Sequence, residues 1–200
     1  MKRSILYITV LGLFMTFSCK SDKKEDSSEN SETETMETET YTEESTSTSE
    51  EKKITFALES KSNSEVTGNV VFTQDGDAVT MVALLSGLTE GEHAIHIHEK
   101  ADCSSSDGKS SGGHWNPTGQ PHGKWGADSG YHKGDIGNFS ANDKGQATIT
   151  KITDEWCIGC GDDSRDILGK AIIVHQGIDD FTSQPSGAAG SRVSCGGIIQ

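Results

Sequence analysis

Residues 91–100 read GEHAIHIHEK, with His96 and His98 two apart and Ile95 and Ile97 two apart. Successive side chains of a β-strand point to opposite faces, so residues i and i+2 share a face about 6.6 Å apart. The run is therefore a strand with isoleucines on one face, for a core, and imidazoles on the other. Alone, an H-x-H pair is a weak signal, no more than a surface pair on a strand. It gains meaning from histidine-bearing stretches further along the chain: GGHWNPTGQPHGKW at 112–125, YHKGDIGNF at 131–139 and AIIVHQGIDD at 171–180. All seven histidines, His93, His96, His98, His114, His122, His132 and His175, lie in these four stretches. Several neutral imidazoles brought to one point make a metal site. Asp135, three residues after His132, adds a carboxylate. A mixed carboxylate and histidine set suits zinc, and a histidine-only set suits copper. The spacing supports two nitrogen-rich sites without assigning each histidine to an ion.

The texture around this run is that of a β-protein. Ile54, Phe56 and Leu58 alternate with Thr55, Ala57 and Glu59, the period of a half-buried strand. Further strands are expected at 66–73, 78–85, 93–98, 136–140, 146–152, 170–175 and 192–199. Turn sequences such as QDGD at 74–77 and ANDKG at 141–145 separate several of them. No stretch sustains a helical period. The expected fold class is all-β, an eight-stranded antiparallel Greek-key sandwich or barrel with long metal-binding loops. Three segments break the rhythm, 99–135, 153–169 and 176–191. The longest carries His114, His122, His132 and Asp135, which favours a functional loop.

The chain has 200 residues and a formal charge of −14, which argues against a nucleic-acid partner. Lys2 and Arg3 precede an apolar run from Ile5 to Phe17, too short for a spanning helix and suited to a signal-peptide core. Ser18 and Cys19 resemble a lipobox, although Thr16 stands where an aliphatic residue is usual. The reading is a leader over 1–19 ending in a lipidated Cys19, with a plain cleaved signal as the alternative. Residues 20–53, rich in Ser, Thr, Glu and Lys, cannot bury enough apolar surface to offset ordering, and read as a disordered acidic tether. A lipid membrane is thus an expected partner, and an exported envelope lipoprotein the expected location. The folded domain is expected over 54–200.

From about residue 54 onward the chain resembles the copper/zinc superoxide dismutases, specifically the secreted bacterial ones. The motifs are GLTEGEHAIHIHEKADCS (87–104), GGHWNP (112–117), YHKGDIGN (131–138), KAIIVHQGIDD (170–180) and GSRVSCG (190–196), in family order and spacing. The resemblance implies copper held by His96, His98, His114 and His175, and zinc held by His114, His122, His132 and Asp135. His114 would be the bridging ligand. Asp179 would link a copper ligand to a zinc ligand, and His93 would support the copper strand. Arg192 would hold the anionic substrate, superoxide. The implied reaction is disproportionation of superoxide to O2 and hydrogen peroxide by Cu(II)/Cu(I) cycling, with His114 as proton carrier. A non-catalytic copper/zinc-binding lipoprotein, a metal buffer or chaperone, is the alternative on the same fold. The family resemblance leaves room for a homodimer.

Cys103 and Cys195 stand where the family places its disulfide. Cys157 and Cys160, in CIGC, read as a small loop-closing disulfide, with an accessory copper(I) site as the alternative. The segment between Asp179 and Arg192 holds no lysine or arginine. Residues 54–200 carry 19 acidic and 10 basic side chains, a charge of −9, so attraction of an anion must be local to the copper mouth. Lys100, Lys124 and Lys133, with Lys109 further along the loop, are the expected cations.

Overall fold

The structure, a computed structural model, describes residues 51–200. The leader, Cys19 and nearly all of the acidic segment lie outside the described residues. Eight strands follow one another: β1 (Lys52–Ser60), β2 (Thr67–Asp75), β3 (Ala78–Ser86), β4 (Gly91–His98), β5 (Gly137–Ala141), β6 (Ala147–Thr153), β7 (Ala171–His175) and β8 (Arg192–Gly197). A single 3-10 turn at Lys109–Ser111 is the only helix among the described residues. Each expected strand is present, with no end shifted by more than two residues. β1 starts at Lys52 because Lys52 and Lys53 pair with Gln74 and Thr73 in the ladder, although both side chains are exposed. Backbone pairing sets a strand's extent, whereas apolar alternation marks only its buried part.

All pairings are antiparallel, and the order is β5-β4-β7-β8-β1-β2-β3-β6. The two end strands, β5 and β6, are consecutive in the chain and joined by the turn in which Gly145 N donates to Asn142 O. The sheet thereby curls into a nearly closed barrel. The links from β3 to β4 and from β6 to β7 cross between distant strands, which gives the Greek-key order.

Side chains at alternate positions fill the interior: Val70 and Phe72, Val79, Met81, Ala83 and Leu85, Ile95 and Ile97, Ile172 and Val174. β4 and β7 depart from simple alternation, because every residue from His93 to His98 and from Ala171 to His175 is buried. Their inner faces meet the core, and their outer faces lie under loops. On β7 this second cover packs Ala171 and Ile173 against Cys195 and Cys103. Both cysteine pairs are disulfide-bonded, Cys103 with Cys195 and Cys157 with Cys160. The first ties the long loop to β8 across 92 residues, worth about 4–5 kcal/mol in the chain-entropy account.

Candidate metal centre

The 99–135 loop reaches the imidazole face of β4 through its backbone. Trp115 N donates to Ile97 O at 2.8 Å, Ile97 N to Gly134 O at 2.9 Å, and Gly134 N to Trp115 O at 3.0 Å. A Cβ on Gly134 would collide with Ile97 O, so glycine is needed for this approach. The docking sets His114 beside His98 in a bridge pair. Its ring then lies 4.0 Å from His96 and 5.0 Å from His98, centroid to centroid. His175, at the end of β7, closes the group at 4.9 Å from His96.

Two four-residue groups result, each with its ligand atoms within 4.8 Å of one another: His96, His98, His114 and His175, and His114, His122, His132 and Asp135. All seven side chains are buried. His114 belongs to both groups.

The orphaned nitrogens point to what the site holds. His96 Nδ1, His98 Nε2, His114 Nε2 and His175 Nε2 are buried without any hydrogen-bond partner, and so are His122 Nδ1 and His132 Nδ1. An unsatisfied buried polar atom is costly, and six together make a strong pattern. The opposite nitrogens of most of these rings are engaged. His98 Nδ1 lies 3.0 Å from Gly112 O and His175 Nδ1 3.4 Å from Gly190 O. His96 Nε2 and His122 Nε2 contact the two oxygens of Asp179 at 2.9 and 2.8 Å. Such contacts fix ring orientation and leave each free nitrogen facing its own group, those of His96, His98 and His175 the first and that of His122 the second. In the second group His114 Nδ1 lies 2.9 Å from Asp135 Oδ1. His122 Nδ1 and His132 Nδ1 are 3.0 and 3.3 Å from the same carboxylate without hydrogen-bond geometry. The donors of the first group are all imidazole, and those of the second are imidazole plus carboxylate. They fit copper and zinc respectively.

Electrostatics separates the groups. Burial, then neighbouring imidazoles, lowers His98 and His175 well below the ordinary histidine range. Burial also dominates at His114 and lowers it to about 4 against the pull of Asp135. At His122 burial opposes charge, but Asp135 and Asp179 outweigh it and raise the group to about 9. Burial would raise Asp135, yet the three histidines around it hold it far below the carboxylate range.

His93 sits behind the site. Its Nδ1 is 3.1 Å from His175 O and its Nε2 2.9 Å from Thr89 O, so it braces the end of β7. Arg192 lines the cavity of about 630 Å³ that opens onto His98, His114 and His175. Its Nη1 donates to Gly108 O at 2.8 Å and Ser111 Oγ at 3.1 Å. Of the four lysines expected near the mouth, Lys109 alone lines this cavity, 3.1 Å from Asp107. Lys133 instead pairs with Glu155, and Lys124 lines a separate cleft with Trp125 and Phe181. Chain proximity to a ligand did not place these side chains at the mouth; between Lys124 and Lys133 the loop turns twice, Ala127 N donating to Lys124 O and Gly130 N to Ala127 O.

Several residues that serve the site were not singled out from the sequence. Asn138 makes a two-way bond with the Asp179 backbone, at 2.8 Å each way. Gln184 does the same for His122, with both contacts at 2.9 Å. Gly187, at φ 64°, lets the chain pass Asp179, since a Cβ there would fall onto Asp179 Oδ1. Only Asn138 left a trace, inside YHKGDIGN. Asparagine and glutamine are too common in loops to signal such clamps.

Comparison with known proteins agrees with this geometry. The family model for copper/zinc superoxide dismutase (SODC) matches residues 66–198. The extracellular superoxide dismutase [Cu-Zn] of Drosophila melanogaster is 39% identical over 145 residues, covering 68% of this chain and 77% of that one. Among solved structures, a double mutant of a SOD-like protein from Bacillus subtilis superimposes with a TM-score of 0.65 at 28% identity, covering 73% of this chain and 97% of that one. The clock protein EA4 gives 0.63 at 30% identity, covering 74% and 94%. An antiparallel barrel carrying two histidine groups that share one imidazole offers two adjacent sets of metal-ligating side chains. The chain belongs to the copper/zinc superoxide dismutase family, whose cofactors are copper and zinc.

Proposed function

We propose that this chain disproportionates superoxide, with His96, His98, His114 and His175 as copper ligands and His114, His122, His132 and Asp135 as zinc ligands. One observation carries the reading. His114 turns Nε2 to the all-imidazole group and Nδ1 to Asp135, in a cavity that also holds Arg192. Copper, when bound, supplies reversible one-electron redox chemistry, and zinc supplies fixed positive charge.

The chain's own residues do the rest. Arg192, braced by Gly108 and Ser111, offers its guanidinium to a small anion entering the cavity. His114 is neutral at working pH, and its Nε2 is the atom that takes up a proton and delivers it to reduced dioxygen. Two superoxide ions and two protons thus give one O2 and one hydrogen peroxide, the second proton coming from solvent. Asp179 keeps His96 and His122 in their ligating tautomers. The metal-buffer reading gains nothing from Arg192, which a storage site does not need.

Export is part of the proposal. The signal-like 1–19 segment with Cys19, the two disulfides and the extracellular relative support it. The deciding experiment measures copper and zinc content and superoxide consumption of the purified protein beside its His114→Ala variant. Activity should fall by ~100-fold or more while zinc retention weakens in parallel. A variant with zinc retention and activity both unchanged would refute the shared-ligand assignment.

A further inference from the structure

The 153–169 segment carries a sulfur pair that the copper and zinc groups do not use. Cys157 is buried and Cys160 is exposed. The Asp166 carboxylate brings an oxygen within 4.8 Å of both sulfurs, so the three side chains form a third ligand-like group. Contacts other than the covalent bond also hold the segment. Cys157 N donates to Arg165 O at 2.8 Å and Ile167 N to Cys157 O at 3.1 Å. Asp166 accepts from Gly159 N, Gly161 N and Leu168 N at 2.9, 3.1 and 3.0 Å. Trp156 and Ile158, on either side of Cys157, are fully buried, and Ile158 N is bonded to Gln74 Oε1. These contacts favour adjacency of the two sulfurs when the bond between them is opened. A disulfide across a separation of three residues also adds less than half the chain-entropy stabilisation of the 92-residue one.

We propose that Cys157, Cys160 and Asp166 form a redox-gated site for one thiophilic divalent cation of the zinc class, closed as a disulfide and opened by a dithiol reductant. Opening consumes two electrons and two protons from the dithiol, which leaves as its own disulfide. The exposed Cys160 sulfur is the one within reach of attack. Binding then releases the two thiol protons, and the two thiolates with the Asp166 oxygen make a sulfur-rich, three-donor set whose exposed side admits water or a donor from a partner. Asp166 is already held ionised: burial would raise it, but the backbone N–H donors from Leu168, Gly161 and Gly159 outweigh that and lower it.

The test uses the full chain, saturated with copper and zinc so that the histidine groups are filled, and cobalt(II) and cadmium(II) as probes. After dithiol treatment, wild type should bind one additional equivalent, with a sulfur-to-metal charge-transfer band. The oxidised protein and the Cys157→Ser/Cys160→Ser double variant should show neither, and the double variant should keep its dismutase activity. Asp166→Asn should weaken cadmium binding by roughly ten- to a hundredfold. The idea is overturned if the reduced protein binds no more metal than the double variant, or if the pair resists native dithiol reduction. Should the double variant not fold, oxidised wild type and Asp166→Asn supply the same comparison.

Discussion

Asp179 contacts His96 Nε2 at 2.9 Å with one carboxylate oxygen, and its other oxygen meets His122 Nε2 at 2.8 Å. One buried carboxylate thus couples the all-imidazole group to the mixed group from outside both. Asp179→Asn keeps the shape but offers one acceptor where two are used. Metal affinity or activity should fall by roughly 10–100-fold, with both metals affected together. Dialysis against a chelator followed by metal analysis checks it. Selective loss of a single metal would contradict the coupling.

Zinc uptake should be strongly pH-dependent. In the metal-free protein His122 is raised to about 9 by Asp135 and Asp179 despite burial, so it is protonated at neutral pH. Zinc must expel that proton. A raised value means competition below it, so the apparent affinity should climb about tenfold per pH unit from neutral pH towards 9 and then level off. Calorimetric titration in buffers of different ionisation enthalpy counts the protons. Zero net release at neutral pH would rule the picture out.

The two disulfides should differ in thermodynamic weight. Replacing Cys103 and Cys195 by serine should lower stability by roughly 4–5 kcal/mol and loosen the loop that carries the metal ligands. Replacing Cys157 and Cys160 should cost about 2 kcal/mol, since the segment is held by hydrogen bonds and by buried Trp156 and Ile158. Denaturant melts of the metal-free variants separate the cases, and equal losses would show that the short bridge holds more of the fold than its contacts indicate.

Steering of superoxide should depend on Lys109 rather than on Lys124 or Lys133. Only Lys109 shares the cavity with Arg192, and Asp107 beside it blunts its field. Lys109→Gln should slow the encounter a few-fold at low salt, with the difference vanishing once the screening length shrinks to about 8 Å or less. Lys124→Gln and Lys133→Gln should track wild type. Rate constants against ionic strength decide, and a larger effect from Lys133→Gln would move the entry path elsewhere.

The strands were legible because half-buried strands alternate with period two, and the Ile95/Ile97 and His96/His98 faces follow from that alone. The histidine motifs and their order were likewise local, and sufficed for the family and for two nitrogen-rich groups. Local pattern could not say which nitrogen of each ring is free, because that depends on partners such as Gly112 O, Gly190 O and Asp179, supplied by distant chain segments. Nor could it show that the outer faces of β4 and β7 are buried, since loops returning from elsewhere cover them. Lys109 faces the cavity and Lys133 does not for the same reason. Spacing along a chain fixes neighbours only within a regular element, and in a long loop the backbone docking against β4 decides.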